Sequence, residues 1–346
     1  MGAVRSKWGM VGMLTNSRYI EQLAKSRSDF IELFDLIYDY VTSFVVFQSD
    51  DEPIIVTNWI VHTWLISHFD YTPYLHIYSA VKQCGKSRLL EIIISLSYKG
   101  RMLVNCTEAI FRLIDKEEST LGFDEVDRWN AENSEAMYGI LNAGYWRRGG
   151  TSLRMTGPNH EPTDFKIFCP KLLTGIDKGK MPDTIQDRSL PIELLRKLPN
   201  EVAKRYRSRD QEIFIQDMQV KLEELARYTS RDNSEDCLFD AEHENSLVDL
   251  YGEQVENDRV LDIIEPLIVV ASMGNAEWLI KSITACIRIG NRTEEEDSNE
   301  NIDLLKQCWD IRKKYPQVKS IHSAELCELL NEDKTSQFAH LGAWGI

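Results

Sequence analysis

The sequence predicts an α/β protein whose mostly parallel sheet is flanked by helices. Short β-prone runs alternate with amphipathic segments of helical length over residues 55–200, the pattern of strands joined by crossover helices. The chain of 346 residues, 43% hydrophobic and 27% charged, is long enough to bury a large core around such a sheet. We therefore expect one α/β domain accompanied by helical segments.

The first predicted elements are helices. Residues 31–47 and 54–69 place large apolar side chains at i, i+3 and i+4 spacings. The β-prone run "YLHIYS" then begins at Tyr74, and "KSRLLEIIISLSY" returns to a helical period from Lys86. This stretch is therefore predicted to form a strand, a loop and a helix.

The alternation continues along the chain. We predict a second buried strand at "RMLVNC", a third at "TLGFDEVD" and a last one at "SLPIELL". Helices are predicted at "TEAIFRLIDKEE" and "SEAMYGILNAGYWRR". The segments "TSLRMT", "GPNH" and "EPTDFKIFC" predict a β-hairpin whose second arm continues into a strand through Thr174.

The domain organisation follows from these elements and from acidic, loop-like runs in the C-terminal half. We predict an N-terminal helical segment at 1–54, the α/β core at 55–200 and a smaller α-helical lid domain at 201–292. Residues 293–346 are predicted to form an acidic linker and a C-terminal helical segment.

Composition and charge narrow the class of protein. The longest apolar run, from Ile54, is too short and too polar to span a bilayer, so no membrane association is predicted. Seven cysteines without a C-x-x-C spacing predict reduced thiols in a cytoplasmic protein. The net charge of −15 argues against wholesale nucleic-acid binding. Residues 140–210 nevertheless hold fourteen Lys/Arg against eight Asp/Glu, a local +6, which predicts either a nucleic-acid surface or a face balanced by acidic neighbours.

The main chemical motif lies between the first predicted strand and its helix. It matches the phosphate-loop pattern G-x-x-x-x-G-K-[ST] except at its start, where Ala80 replaces a glycine that only has to begin the turn. In such loops backbone N–H groups converge on phosphates, the lysine reaches the β- and γ-phosphates, and the hydroxyl ligates Mg²⁺. The predicted ATP-binding residues are Ala80, Val81, Lys82, Gln83, Cys84, Gly85, Lys86, Ser87 and Arg88.

A carboxylate pair follows the third predicted strand. A phosphate-loop enzyme needs one carboxylate at the sheet edge to hold Mg²⁺ and a second group to orient the attacking water. Asp124 suits the first role and Glu125 the second, and an acidic helix start does not explain a pair 38 and 39 residues after Lys86. The sequence therefore predicts ATP and Mg²⁺ as cofactors, Ser87 and Asp124 as metal ligands, and Lys86 and Glu125 as catalytic residues.

Three polar residues outside the motif are further candidates. Thr174 ends a predicted buried strand, where it either reaches the attacking water or caps the strand. Arg188 either acts as a finger on a neighbouring subunit's ATP or forms an ion pair with Asp187 or Asp183. Arg259 begins a helix of the predicted lid and is a candidate sensor of the γ-phosphate.

The order of these motifs resembles that of AAA+ ATPases. More narrowly, "CGKSRLLEII", "AIFRLIDKEESTLGFDEVD", "ILNAGYWRRGG" and "FCPKLLTGIDKGKMPDTIQDRSLPIELLRK" resemble a family of P-loop proteins of phages, plasmids and integrative elements. Its members are labelled as a domain of unknown function or as DNA primase- or helicase-associated ATPases. The resemblance covers about residues 30–290 and is strongest at 74–198. Gly122 departs from the family's usually hydrophobic strand, and we expect it to loosen that strand.

The resemblance implies an AAA+ core with a helical lid and a homo-oligomeric, hexamer-like ring in which neighbouring subunits complete each ATP site. It also implies that Arg188 acts as a finger in trans and that Arg259 occupies a lid-sensor position. The resembled proteins often continue beyond "HLGAWGI", so we expect a truncated chain that lacks a C-terminal nucleic-acid-binding segment.

Two functions for the ATP energy stay open. The first is a DNA-directed motor or helicase-like replication ATPase of a mobile element or phage, in which Arg147, Arg148 and Arg154 contact DNA phosphates. Tyr145 and Trp146 then stack on bases or else belong to the core. The second is a nucleotide-dependent switch or loader that acts on a protein partner of a replication or defence system. A third interpretation, a structural module with an inactive site, is disfavoured by the presence of all four key residues, Lys86, Ser87, Asp124 and Glu125.

Overall fold

The computed structural model describes most of the chain, and the chain divides into two compact units, residues 1–290 and 291–346. The parallel sheet lies wholly within the first unit. The residues that the structure describes are 24, 28–80, 82–103, 109–126, 131–156, 161–175, 181–198, 201–231, 241–255 and 257–314.

The centre of the first unit is a five-stranded sheet in which every neighbouring pair of strands is parallel. The strands of the chain are β1 (Tyr74–Tyr78), β2 (Arg101–Leu103), β3 (Leu121–Phe123), β4 (Thr151–Thr156), β5 (Glu161–Lys166), β6 (Lys171–Gly175) and β7 (Ser189–Glu193). The order in the sheet is β2-β3-β6-β1-β7. This confirms the predicted α/β class with a parallel sheet, and it inserts β6 between the strands that precede the GKS loop and the carboxylate pair.

Ten α-helices cover the sheet and extend beyond it in the described part of the chain. They are α1 (Ser28–Phe44), α2 (Asp51–Trp64), α3 (Lys86–Leu96), α4 (Ala109–Glu117), α5 (Ala131–Ala143), α6 (Asp183–Gln186), α7 (Ser208–Arg231), α8 (Ala241–Tyr251), α9 (Asp258–Ala271) and α10 (Ala276–Lys314). Short 3₁₀ turns follow α2 and α8. None of the helices within the described residues combines the length and the apolar character that a membrane crossing requires.

Side chains alternate between the two faces of the sheet, as the period of a strand requires. Leu172 belongs to the core that the sheet shares with α1, α2, α3, α7, α8, α9 and the start of α10. The next residue, Leu173, belongs to a second core shared with α4, α5 and the hairpin. The first core includes residues from both sides of residue 200. The second compact unit begins at Asn291.

Strand β2 differs from its prediction as a buried strand. Its described residues lie at the edge of the sheet, pair there with β3, and leave Arg101 and Met102 exposed. Residues 104–106 of the predicted strand lie outside the described residues. An edge strand has a neighbouring strand on one side only, so fewer side chains surround "RML" and shield it from water.

The hairpin forms as predicted from its two arms, β4 and β5, which pair antiparallel. The predicted turn at 157–160 lies outside the described residues. The expectation that the second arm runs on through Thr174 was wrong, because β5 ends at Lys166 and β6 starts at Lys171 in a different sheet. The intervening residues, 167–170, are buried and turn the chain from the ribbon into the parallel sheet.

Gly122 does not loosen β3. It pairs with Met102 of β2 on one side and with Leu172 of β6 on the other. The backbone of β3 is therefore held on both edges, and the lack of a side chain at this position has another cause, the proximity of helix α3.

Candidate functional site

The GKS loop joins the carboxyl end of β1 to the amino end of α3, as the motif requires. Gly85 is the N-cap residue of α3 and has φ 95°, a left-handed conformation that glycine adopts without steric cost. Gln83 also has a positive φ, 67°. Left-handed residues in such a turn direct successive N–H groups into a concavity that suits anions. The predicted Val81 lies outside the described residues.

Ala80 does not need the glycine that the motif prescribes. It is exposed and is not among the described residues whose φ is positive. Because an alanine pays a conformational penalty only in that region, the substitution is compatible with the backbone of this loop.

The Lys86 side chain lies at the start of α3 and folds back toward β1. Its Nζ donates a hydrogen bond of 2.5 Å to Oγ of Ser79, the residue that follows β1 and is fully buried. The lysine is thus held beside the loop at the amino end of α3, where its charge and the helix dipole both favour an anion. Ser79 was missing from the predicted site, although it stands in the same loop segment.

Ser87, Asp124 and Thr174 form a polar network across the end of the sheet. The Ser87 hydroxyl donates to Asp124 Oδ2 at 3.0 Å, and the Thr174 hydroxyl donates to Asp124 Oδ1 at 2.5 Å. The backbone N–H of Glu125 lies 3.0 Å from Asp124 Oδ1 and 3.3 Å from Thr174 Oγ1. The strand order explains this meeting, because β6 places Thr174 between the loop and the carboxylates.

Glu125 follows β3 with φ 55°, an uncommon conformation for a residue with a side chain. Such strain persists where neighbouring contacts fix the backbone, and here the Glu125 N–H is bonded to Asp124 and Thr174. The turn leaves the Glu125 side chain exposed at the mouth of the site.

A cavity of about 460 Å³ joins these groups. Its volume lies within the range of small-molecule sites. It is lined by Lys82, Gln83, Cys84, Gly85, Lys86, Ser87, Arg88, Asp124, Glu125, Thr174 and Gly175. The structure therefore brings together the predicted loop residues from 82 onward, both carboxylates and Thr174, whereas Ala80 is not among the lining residues.

The donor set in this cavity fits Mg²⁺. Ser87 and Asp124 offer a hydroxyl and a carboxylate oxygen, the hard ligands that Mg²⁺ prefers when phosphates and waters complete its shell. Within the described residues, no group of three or more His, Cys, Asp or Glu side chains is placed to hold a metal.

Arg188 lies at the amino ends of the parallel strands, whereas the cavity lies at their carboxyl ends. Its carbonyl accepts a hydrogen bond from the backbone N–H of Tyr74, at the start of β1, whereas the loop follows the end of that five-residue strand. At about 3.3 Å per residue, the two ends of β1 are roughly 16 Å apart. The Arg188 guanidinium lies 4.7 Å from the centre of the Tyr145 ring and bonds to the Thr184 carbonyl.

Arg259 lies near Arg188 and away from the cavity. Its guanidinium forms an ion pair of 3.0 Å with Asp187, so this aspartate is paired with Arg259 and not with Arg188. The Asn257 side chain caps helix α9 by accepting from the Arg259 N–H. The structure thus does not bring Arg259 to the GKS loop of its own chain.

The three arginines predicted to contact nucleic acid differ in their surroundings. Arg147 donates to the carbonyls of Phe69 and Ile66 and lies over the Phe168 ring at 4.4 Å. The guanidinium of Arg154 lies 4.4 Å above the Phe111 ring and is half-buried on the inner face of the hairpin. The Arg148 side chain is 78% exposed, and its nearest ion-pair partner, an Asp70 oxygen, is as far as 4.0 Å away.

Lys171 is a buried cation that the sequence did not indicate. It is fully buried, and its Nζ donates to the carbonyls of Gly144, Ile167 and Cys169 at 3.0–3.1 Å. Burial lowers the pKa of the Lys171 amine and raises the pKa of the neighbouring Cys169 thiol. By binding all three carbonyls, Lys171 connects the end of α5 to the segment between the hairpin and β6.

The fold and the site together define an α/β protein in which a GKS loop faces a carboxylate pair across one inserted strand. A family model described as "Protein of unknown function (DUF3631)" matches residues 193–346, from the last residue of β7 onward. The GKS loop, the carboxylate pair and Thr174 precede this match. None of the curated proteins compared with the chain matches it.

Proposed function

We propose that this protein is a P-loop ATPase of the AAA+ type that binds Mg²⁺–ATP in the cavity beside the GKS loop. The observation that carries the proposal is the 3.0 Å hydrogen bond between Ser87 and Asp124, residues 37 positions apart. A GKS tripeptide or an acidic strand end can each occur by chance. Their meeting around one cavity, with Lys86 and Glu125 in the lining, is the arrangement that phosphoryl transfer to water requires.

Each side chain has a defined role in this reaction. Loop N–H groups and Lys86 bind the phosphates. Ser87 and Asp124 would hold Mg²⁺, which would neutralise phosphate charge. Glu125 orients a water molecule toward the γ-phosphorus and accepts a proton from it. As the water oxygen bonds to phosphorus, the bond to the β,γ-bridging oxygen breaks, which yields ADP and phosphate. Thr174 keeps Asp124 and the Glu125 backbone in place.

Arg188 would act on the ATP of a neighbouring copy. Roughly 16 Å of strand separates it from its own loop, a distance that no side chain spans. A homo-oligomeric ring, hexamer-like as the resemblance implies, would set the Arg188 edge of one copy against the cavity of the next. The cation would then stabilise charge in the transition state.

The proposed site is tested by ATP binding and hydrolysis with and without Mg²⁺. Lys86→Ala should abolish ATP binding, and Glu125→Gln should keep binding while turnover falls at least about 100-fold. Lys221→Ala is the matched control, since Lys221 lies on the solvent face of α7 in an ion pair with Asp217. Wild-type turnover in the Lys86→Ala protein would overturn the proposal.

The trans role of Arg188 needs a separate experiment. Arg188→Ala and Lys86→Ala proteins should each be inactive alone, yet their mixture should regain part of the activity. In a mixed ring some interfaces pair an intact loop with an intact arginine. No recovery under conditions in which the two proteins co-assemble would contradict action in trans.

The hairpin favours one of the two uses of ATP energy, a switch that acts on a protein partner, over the other, a motor that acts on DNA. Its outward residues Leu153 and Met155 are 63% and 60% exposed, whereas Arg154 faces the Phe111 ring. Exposed apolar side chains on β4 are better suited to contacts with another protein than to contacts with phosphates. We expect nucleotide to change the oligomeric state, measured by mass photometry, and ATPase activity to be insensitive to single-stranded DNA at low salt. DNA-stimulated turnover would restore the motor as the preferred function.

A further inference from the structure

Gly122 lies against helix α3, which packs on strand β3. A Cβ atom at this position would be 2.7 Å from Ile94 Cγ1, 2.8 Å from Leu90 Cδ1 and 2.9 Å from Ile94 Cδ1. Non-bonded carbon atoms settle at about 3.5–4.0 Å. Any side chain at position 122 therefore requires the helix and the strand to move apart by several tenths of an ångström, or the two helix side chains to reorient.

The contact at Gly122 and the polar contact of the site belong to the same helix–strand packing. Ser87, Leu90 and Ile94 are spaced i, i+3 and i+7, so they share one face of α3. Along the helix, Leu90 and Ile94 lie about 4.5 and 10.5 Å from Ser87. Along the strand, Gly122 lies about 6.6 Å before Asp124, between those two levels. The apolar contact at Gly122 is therefore adjacent to the Ser87–Asp124 hydrogen bond, on the side away from the cavity.

We propose that Gly122 is a positioning residue for the metal site. By letting α3 lie directly against β3, it sets the separation between the Ser87 hydroxyl and the Asp124 carboxylate. The two oxygens lie 3.0 Å apart, close enough for one Mg²⁺ to be held by both. This inference rests on the proposed function, because it assigns both oxygens to one ion.

The phosphate-binding groups respond differently to the same displacement. Lys86 and the N–H groups at the start of α3 belong to the helix and move with it, so their mutual geometry is preserved. Asp124 belongs to β3 and is left behind. A side chain at position 122 should therefore weaken the response to Mg²⁺ while Mg²⁺-free ATP binding is maintained.

Gly122→Ala tests the inference, with Gly139→Ala as the matched control. Position 139 lies in α5, where an added Cβ meets open space in the described structure. We expect Gly122→Ala to raise the Mg²⁺ concentration for half-maximal ATP binding about tenfold, the effect typical of a lost supporting contact at a metal site. Binding of ATP in EDTA should equal wild type, and the control should match wild type in both assays. An unchanged Mg²⁺ response in Gly122→Ala would overturn the inference.

Removal of the opposing side chain should rescue the variant. Gly122→Ala/Ile94→Ala deletes two of the three close contacts, so its Mg²⁺ requirement should return toward that of Ile94→Ala alone. If Gly122→Ala alone does not fold, this double variant is compared with Gly122→Val/Ile94→Ala. A higher Mg²⁺ requirement in the valine variant supports the inference, and an equal one refutes it. Absence of Mg²⁺-dependent ATP binding in the wild-type protein would instead refute the proposed function itself.

Discussion

Arg147→Ala should destabilise the fold, whereas Arg148→Ala should leave its stability almost unchanged, although the two residues are adjacent. The Arg147 guanidinium donates to Phe69 O at 2.9 Å and to Ile66 O at 2.5 Å, and it lies over the Phe168 ring. A hydrogen bond from a charged donor contributes about 1.5–3 kcal/mol, and a cation–π contact about 0.5–2 kcal/mol. Because Arg147 is half-buried, we take the lower values and expect a loss of about 3–4 kcal/mol of unfolding free energy.

The assay is thermal and urea unfolding of both variants beside wild type. At about 2 °C per kcal/mol for a large unit, Arg147→Ala should lower Tm by about 6–8 °C. Arg148 is 78% exposed and 4.0 Å from Asp70, so its replacement should leave Tm within about 1 °C. If the protein binds DNA, only Arg148→Ala should reduce the salt dependence of binding, by about one phosphate contact. Wild-type stability together with weakened DNA binding in Arg147→Ala would refute the packing role of Arg147.

Three further predictions concern the polar network and buried titratable groups. Thr174→Val removes the hydroxyl bonded to Asp124, so kcat should fall about 10–100-fold with little change in ATP affinity, and wild-type turnover would contradict the role of Thr174. Burial, and to a smaller extent the charge of Arg147, lowers the pKa of His62 to about 3. Below pH 6.5 the His62 imidazole is therefore protonated in the unfolded chain and stays neutral in the folded one. The free energy of unfolding should therefore decrease by about 2 kcal/mol between pH 7 and pH 5, a loss that urea titrations of His62→Gln should not show. Burial, then Glu244, raises the pKa of Glu265 to about 7, so stability should fall as pH rises from 4.5 through 7. Glu265→Gln should stabilise the fold by about 2 kcal/mol at pH 8 and not at pH 4.5, and equal gains at both would exclude this titration.

The fold class was predictable because it depends on local periodicity. "YLHIY" and "KLLTG" are fully buried strands, and the amphipathic runs between strands form the expected helices. The strand order and the exposed edge at β2 were not predictable, since both depend on contacts between segments distant in the chain. "RML" is apolar enough to be read as buried, and only its place at the end of the sheet leaves it exposed.

The candidate site was predictable where one motif specifies both the residue type and its backbone setting. Lys86, Ser87, Asp124 and Glu125 line the same cavity, as their positions after two strands indicated. The direction of a side chain is not encoded in this way. Arg154 alternates with exposed neighbours on β4, and the register of the hairpin turns it toward Phe111, although a lone arginine on a basic stretch gives no sign of this.

Ala80 and Gly122 show why a departure from a motif cannot be weighed without distances. Both look like single-residue deviations, one where glycine is expected and one where a large apolar side chain is expected. Ala80 lies outside the positive-φ region, so its methyl group has no conformational cost that a glycine would relieve. Gly122 has three carbon atoms within 3 Å of the place where a methyl group would be, so there the side chain has no room. The two positions should therefore differ in their response to exchange: Ala80→Gly should leave the Mg²⁺ dependence of ATP binding unchanged, whereas Gly122→Ala should shift it.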